Sequence, residues 1–164
     1  MNMMMTGFYY RPMNLNDINW IREIDKQSFP DPWPAEAFKN ELLHNKMARY
    51  IVAIWNGMIA GYCGWWSQPD GVAHISNFAI GPRYRNFGLG KSLLATVIEL
   101  AKREGNTKIF LEVRPSNPKA RRLYHKLGFV TTGVKKGYYT IQPEDAIVME
   151  MSLVSAKKAA NFGY

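Results

Sequence analysis

The chain has a single cysteine, Cys63, among 164 residues. One thiol excludes an intramolecular disulfide and a cysteine-built zinc site, so Cys63 reads as a small buried hydrophobe in a strand. Three histidines, His44, His74 and His125, are scattered without metal-ligand spacing such as H-E-x-x-H, and no metal is expected. Long apolar runs are also missing. The longest, Ile51 to Trp66, carries Asn56 and three glycines and falls short of the ~20 residues a membrane span needs. The opening Met1-Asn2-Met3-Met4-Met5 lacks the basic start and the apolar length of a signal peptide. Internal repeats and low-complexity tracts are absent. The expectation is a soluble, cytoplasmic protein with no membrane partner.

Acidic residues are outnumbered. Lys plus Arg is 21 and Asp plus Glu is 13, a net charge of +8. That surplus favours an anionic partner, either a polyanion such as nucleic acid or a small phosphorylated ligand. Apart from Lys135-Lys136 and Lys157-Lys158 the basic residues are spread along the chain, so direct nucleic-acid binding is the weaker reading. The length suits one domain. With 47% apolar and 21% charged residues the composition is that of an ordinary globular protein. One domain is expected over residues 1–153, with a frayed tail over 154–164.

The order of elements is βααβββαβαββ, a mixed α/β pattern. Residues 8–12 read as a strand ended by Pro12. Ile18, Ile21 and Ile24 follow a helical step, with Asn16 or Asp17 as cap. Phe29 to Pro34 holds three prolines and cannot be regular structure; Pro34 suits the first turn of a helix through Leu43. Asn56-Gly57 between apolar runs signals a type I′ hairpin. Ala73 to Ile80 is a strand stopped by Gly81-Pro82. Leu93, Leu94, Val97, Ile98 and Ala101 form one face of a helix, and Gly105 suits its C-terminal end. Lys108 to Val113 is a strand. Asn117 and Pro118 open a helix running to Leu127. Phe129 to Lys136 and Ala146 to Leu153 are the last strands.

Between a strand and a helix lies Arg85-Asn86-Phe87-Gly88-Leu89-Gly90-Lys91-Ser92. Glycines there let backbone N–H groups converge on an anion at the helix N-terminus. Gly90-Lys91-Ser92 ends like a Walker A loop, but the required first glycine falls at Arg85. A dinucleotide fingerprint fails because position 93 is Leu. The pattern that fits is [QR]-x-x-G-x-[GA], starting at Arg85. A tight strand-to-helix turn with no ligand remains the plain alternative.

That loop resembles the pyrophosphate-binding motif of the GNAT superfamily of N-acetyltransferases. Leu111-Glu112-Val113-Arg114-Pro115-Ser116-Asn117, followed by Ala120, Leu123-Tyr124 and Leu127-Gly128-Phe129, closely resembles its ribosomal-protein-alanine N-acetyltransferase branch, the RimI type. Tyr138-Tyr139 and Glu144-Asp145-Ala146 through Met149 match as well. The resemblance implies a central mixed sheet of about six to seven strands flanked by about four helices. It implies acetyl-CoA as cosubstrate, lying between two splayed parallel strands. Phe78, Ala79 and Ile80 would offer backbone hydrogen bonds to the pantetheine arm and acetyl oxygen. Arg85, Asn86, Phe87, Gly88, Leu89, Gly90, Lys91 and Ser92 would hold the pyrophosphate, and Asn117 would contact the cofactor besides capping its helix. Glu112 would be the general base and Tyr124 the general acid. Trp33, Tyr138 and Tyr139 would frame the groove for the N-terminal segment of a protein. The implied acceptor is the N-terminal alanine of the eighteenth small-subunit ribosomal protein.

The residues permit plainer readings. Glu112 is a carboxylate inside an apolar strand, which is costly unless paired. It is either ion-paired with a nearby Lys or Arg, or raised in pKa by partial burial toward a base's range. Tyr124 is a core tyrosine or an acid, and the three groove aromatics are loop packing or a binding frame. An α-amine has a pKa near 8 and a Lys amine about 10.4, so neutralising them at pH 7 costs roughly 1.4 and 4.6 kcal/mol. One modest base suits the first better. Phe87 is bulky for a loop that wraps a pyrophosphate, and Gly81 leaves the preceding strand end poorly defined. The alternatives are a GNAT enzyme acting on a small amine, an acyl-CoA-binding protein without turnover, and a basic nucleic-acid-binding module.

Overall fold

The computed structural model describes residues 7–154; the opening methionines and the tail expected to fray from 155 onward lie outside them. Among the described residues seven strands form one sheet. They are β1 (Tyr9–Pro12), β2 (Ala48–Trp55), β3 (Met58–Ser67), β4 (Val72–Ile80), β5 (Lys108–Val113), β6 (Val130–Tyr139) and β7 (Glu144–Ser152). Four helices flank it: α1 (Ile18–Ser28), α2 (Ala35–His44), α3 (Leu89–Arg103) and α4 (Pro118–Leu127). The strand order is β1-β2-β3-β4-β5-β7-β6. Every neighbouring pair is antiparallel except β4 and β5, which the crossover through α3 makes parallel.

Local chemistry explains most boundaries. Asn56 and Gly57 both have positive φ, 49° and 77°, as a type I′ turn requires. Asn117 caps α4 by accepting the Ala120 N–H, and Gly128 ends it in the left-handed conformation. Asp17 holds the cap position of α1, one of the two residues expected there, but its side chain makes no capping hydrogen bond to the helix. A 3-10 turn, Leu15–Asp17, precedes α1, and its cap is Asn14, whose side chain accepts the Asn16 N–H. Asp17 is spent otherwise: it accepts the Asn14 N–H and pairs with both terminal nitrogens of Arg11. β6 runs three residues past Lys136, so Tyr138 and Tyr139 end a strand rather than sit in a loop.

The sheet carries an apolar core on each face. Against α3 and α4 pack Ile75 and Ile80 of β4 and Ile109, Leu111 and Val113 of β5, with Leu93, Leu94 and Val97 of α3. Against α1 and α2 pack Tyr50, Val52, Tyr62 and Ala79, with Ile21 and Phe38. β5 alternates strictly, so Phe110 and Glu112 face away from the α3–α4 core. Among the described residues no helix is long and apolar enough to cross a membrane, and no group of three or more His, Cys, Asp or Glu could hold a metal ion.

Candidate active site

The parallel pairing of β4 and β5 is short. It joins Val72 to Lys108, Ala73 to Ile109 and His74 to Phe110, then stops. β4 continues to Ile80 and β5 to Val113, so the strands fork. A register shift opposite Gly64 and Trp65 of β3 leaves Ser76 without a strand partner. The extra residue bends β4 and changes which side chains face which core: Ile75 lies on the α3–α4 side, and Ala79 on the α1–α2 side.

Beyond the last pair, His74 with Phe110, β4 continues through Phe78, Ala79 and Ile80 with no pairing to β5. The Ile80 carbonyl is already committed, accepting Arg85 Nε at 2.8 Å. The Arg85 guanidinium also donates to Ser28 Oγ at 3.0 Å. Its side chain thus ties the end of β4 to α1.

The loop that follows has the backbone an anion site requires. Asn86 and Gly88 have φ of 69° and 82°. Gly88 caps α3, whose first helical hydrogen bond runs from Ser92 N–H to the Gly88 carbonyl. The N–H groups of Leu89, Gly90 and Lys91 therefore have no partner within the helix and point outward at its positive end. Phe87 does not crowd them: its ring lies edge-on to Trp55, with centroids 5.2 Å apart. Ser92 Oγ accepts a hydrogen bond from the Tyr10 hydroxyl. Lys119 of α4 donates to Asn86 Oδ1 at 2.8 Å, adding a cation to this loop that the sequence pattern did not reveal.

Glu112 lies at the fork on the opposite face of β5 from Leu111. Its side chain is only 5% exposed, and both oxygens are held: Oε2 by His74 Nε2 and Oε1 by Lys135 Nζ, each at 2.6 Å. Burial pushes the Glu112 carboxyl up, but the hydrogen bonds and charges of His74 and Lys135 outweigh it and leave the pKa below its ordinary value. The expectation that burial would raise Glu112 toward neutrality is therefore corrected. Pairing to a basic residue, the plainer reading, is what the geometry contains.

Tyr124 sits on the other face, buried between Phe78 and Phe129 with ring centroids 6.4 and 5.9 Å away. Burial drives its pKa well up, with Cys63 and Tyr139 nearby adding to the effect. The phenol thus stays protonated.

Tyr138 and Tyr139 pack edge to face at 5.0 Å. Lys135 Nζ lies 5.3 Å from the Tyr138 ring centre, which brings this tyrosine to the Glu112 cluster. Arg114 lies 4.0 Å over Tyr139 and donates to the carbonyls of Ile141 and Gln142. Glu144 accepts from the Ser116 N–H and hydroxyl and pairs with Arg114, and the Ser116 hydrogen bonds hold its pKa down. Trp33 lies against α2. It packs on Phe38 at 5.6 Å and lines a surface recess of about 490 Å3 with Asn40, Glu41 and His44. Among the described residues no ring contact joins it to Tyr138 or Tyr139. The recess and the fork share a wall, because Trp66 donates to Glu41 and packs edge-on to His74.

The sequence assigned no site role to His74, Lys135, Arg114 or Lys119. The signal for His74 was present in principle, since it occupies a strand position facing away from the apolar Ala73 and Ile75. Lys135 stood out only as half of a basic pair.

Comparison with known proteins agrees with this geometry. Residues 18–129 match the family model described as Acetyltransferase (GNAT) family. A Bacillus subtilis protein, named provisionally as a ribosomal protein bS18-alanine N-acetyltransferase, is 42% identical over 150 residues, covering 92% of this chain and 99% of its own. The ribosomal protein bS18-alanine N-acetyltransferase of Haemophilus influenzae is 36% identical over 81% of this chain and 90% of its own. The crystal structure of the Escherichia coli ribosomal-protein-alanine N-acetyltransferase superimposes with a TM-score of 0.83 at 27% identity, covering 95% of this chain and 100% of that one. The forked sheet, the glycine loop at the head of α3 and these likenesses together establish that the chain belongs to the GNAT family of acetyltransferases.

Proposed function

We propose that this chain transfers the acetyl group of acetyl-CoA to the N-terminal α-amine of a protein, the acceptor being the N-terminal alanine of ribosomal protein bS18. The observation that carries the reading is the fork. The Glu112 carboxylate stands on one face of the sheet there, the Tyr124 phenol on the other, and the N-terminal end of α3 follows the end of β4. The names borne by the Bacillus subtilis and Haemophilus influenzae relatives support the choice of acceptor.

The α3 N–H groups, with Lys91 and Lys119 near them, hold the pyrophosphate. Backbone groups of Phe78 and Ala79 hydrogen-bond the pantetheine arm and the acetyl oxygen, and Asn117 adds a cofactor contact. The peptide approaches over Tyr138 and Tyr139, and Trp33 borders the far side of its path. Glu112 is the base in this reading, receiving the ammonium proton through a water. The nitrogen then attacks the carbonyl carbon, the C–N bond forms and the C–S bond breaks. Tyr124 acts as general acid to the departing sulfur. A thiol of ordinary pKa about 8.5 already leaves tolerably as thiolate, so Tyr124 is asked for less than the base is.

Steady-state kinetics with three peptides test this: one beginning Ala-Arg, one beginning Met, and the Ala-Arg peptide with a blocked N-terminus. The expected result is turnover of the first, weak turnover of the second and none of the third. Equal rates on free polyamines, or acetylation of the blocked peptide, would overturn it.

A further inference from the structure

Glu112 as it stands is a poor direct acceptor. Both oxygens carry a donor, and the pKa is pushed down instead of up. Proton transfer from an α-ammonium of pKa about 8 to an ordinary carboxylate is unfavourable by about 5000-fold, and to an ordinary imidazole by only about 30-fold. An imidazole stands beside Glu112. His74 is the last β4 residue paired with β5, at the vertex of the fork. Its ring is stacked on Phe110 at 4.3 Å with planes 2° apart, and Trp66 meets its edge. The ring is thereby fixed in position, and its side chain is 15% exposed. Because an ionised carboxylate can only accept, Nε2 must carry the hydrogen, which leaves the lone pair on Nδ1. Nδ1 has no hydrogen-bond partner among the described residues and is not sealed from solvent.

We propose that His74 is the group that takes the proton from the acceptor α-ammonium, at Nδ1, while Glu112 orients the ring by holding Nε2–H and steadies the imidazolium that forms. The proposal rests on the acetyltransferase reading above and changes which atom serves as base. The nitrogen loses two protons in the reaction. One leaves through His74 to solvent; the other ends on the CoA sulfur as the C–N bond forms and the C–S bond breaks. Lys135 then acts as counter-charge to Glu112, keeping it ionised and acceptor-only. The other ionisable groups around the ring are Tyr138, which faces Lys135 from the end of β6, and Glu41 of α2 behind Trp66.

The test compares kcat of wild type, His74→Gln and Glu112→Gln between pH 6 and 10 on the Ala-Arg peptide, with CoA binding followed by calorimetry. His74→Gln keeps an amide donor for Glu112 but has no basic nitrogen. It should lose about 100-fold at pH 7, with the deficit shrinking to a few-fold at pH 10, where the α-amine is neutral unaided. Glu112→Gln should lose about tenfold and bind CoA normally. If His74→Gln stays within about threefold of wild type while Glu112→Gln carries the pH-dependent loss, the proposal is overturned and Glu112 is the base. Nitrogen-15 NMR of labelled histidine at pH 8 decides independently of turnover. Hydrogen on Nε2 supports the dyad, and hydrogen on Nδ1 refutes it. Absence of turnover with every N-terminal peptide, despite CoA binding, would instead refute the acceptor class.

Discussion

The Arg114 guanidinium lies 4.0 Å over the Tyr139 ring, and its two terminal nitrogens donate to the carbonyl oxygens of Gln142 and Ile141 at 2.8 and 2.9 Å. One cation at the end of β5 thereby sets the turn that leaves β6 and carries the aromatic pair toward the fork.

Replacing Arg114 with Lys keeps the charge and loses the flat, forked donor. The turn after β6 should loosen without disturbing the phosphate loop or Glu112. The expected outcome is a KM for peptide raised about tenfold, which corresponds to the roughly 1.4 kcal/mol of one or two net hydrogen bonds. The kcat should stay within about threefold, and CoA affinity should not move. Steady-state kinetics with varied peptide, paired with CoA calorimetry, measure both.

Gly88 gives a second prediction. Its φ is 82°, and a Cβ placed there would meet nothing within 4 Å. Gly88→Ala therefore acts through backbone conformation alone, at a cost of about 1–2 kcal/mol for the left-handed region. The head of α3 should relax away from the geometry proposed to hold the pyrophosphate. Calorimetry should show CoA binding weakened about tenfold, while KM for peptide at saturating acetyl-CoA stays unchanged. Undiminished CoA affinity would show that the loop does not hold the phosphates.

Local rules made much of this molecule legible. Asn56-Gly57 foretold the hairpin because its two positive φ values have few other tenants, and Asn117-Pro118 foretold a helix start for an equally local reason. The apolar run from Ile109 to Val113 marked a strand with a carboxylate inside it. It could not show what Glu112 faces. His74 is 38 residues away and Lys135 is 23, and both arrive through the sheet order β4-β5-β7-β6. Burial alone therefore suggested a raised pKa, and two long-range partners reversed its sign. The Arg85 motif was visible as a pattern, but its side-chain partners, Ser28 and the Ile80 carbonyl, were not. Trp33 was grouped with Tyr138 and Tyr139 by resemblance, whereas in the fold its ring contact is with Phe38 on the α2 side.

Tyr124→Phe removes one hydroxyl from a site packed by Phe78 and Phe129. The ring contacts persist, so the fold should hold. Transfer from a phenol of pKa 10 or more to a thiolate of about 8.5 is uphill by at least about 2 kcal/mol. The general acid therefore contributes less than the base does. The expected loss in kcat is about tenfold, smaller than that of His74→Gln at pH 7. It should narrow with acetyl donors whose leaving thiol is more acidic. A loss insensitive to the leaving group would place Tyr124 outside the departure step.

Asp25 is nearly sealed at 1% exposure. It accepts hydrogen bonds from the Tyr62 hydroxyl and the Trp33 backbone. Burial outweighs these and raises its pKa from 3.8 to about 6. The folded state thus binds this proton more tightly than the unfolded chain. The stabilisation is complete below about pH 4 and is lost as pH rises through about 6. A rise of that size corresponds to roughly 3 kcal/mol. Asp25→Asn stays neutral at every pH and keeps an acceptor for Tyr62. Its Tm should exceed that of wild type at pH 7.5, and the gap should close as the pH is lowered to 4. Thermal melts of both proteins across that range measure the difference; a gap that does not depend on pH would show that Asp25 is ionised in the native fold at acid pH as well.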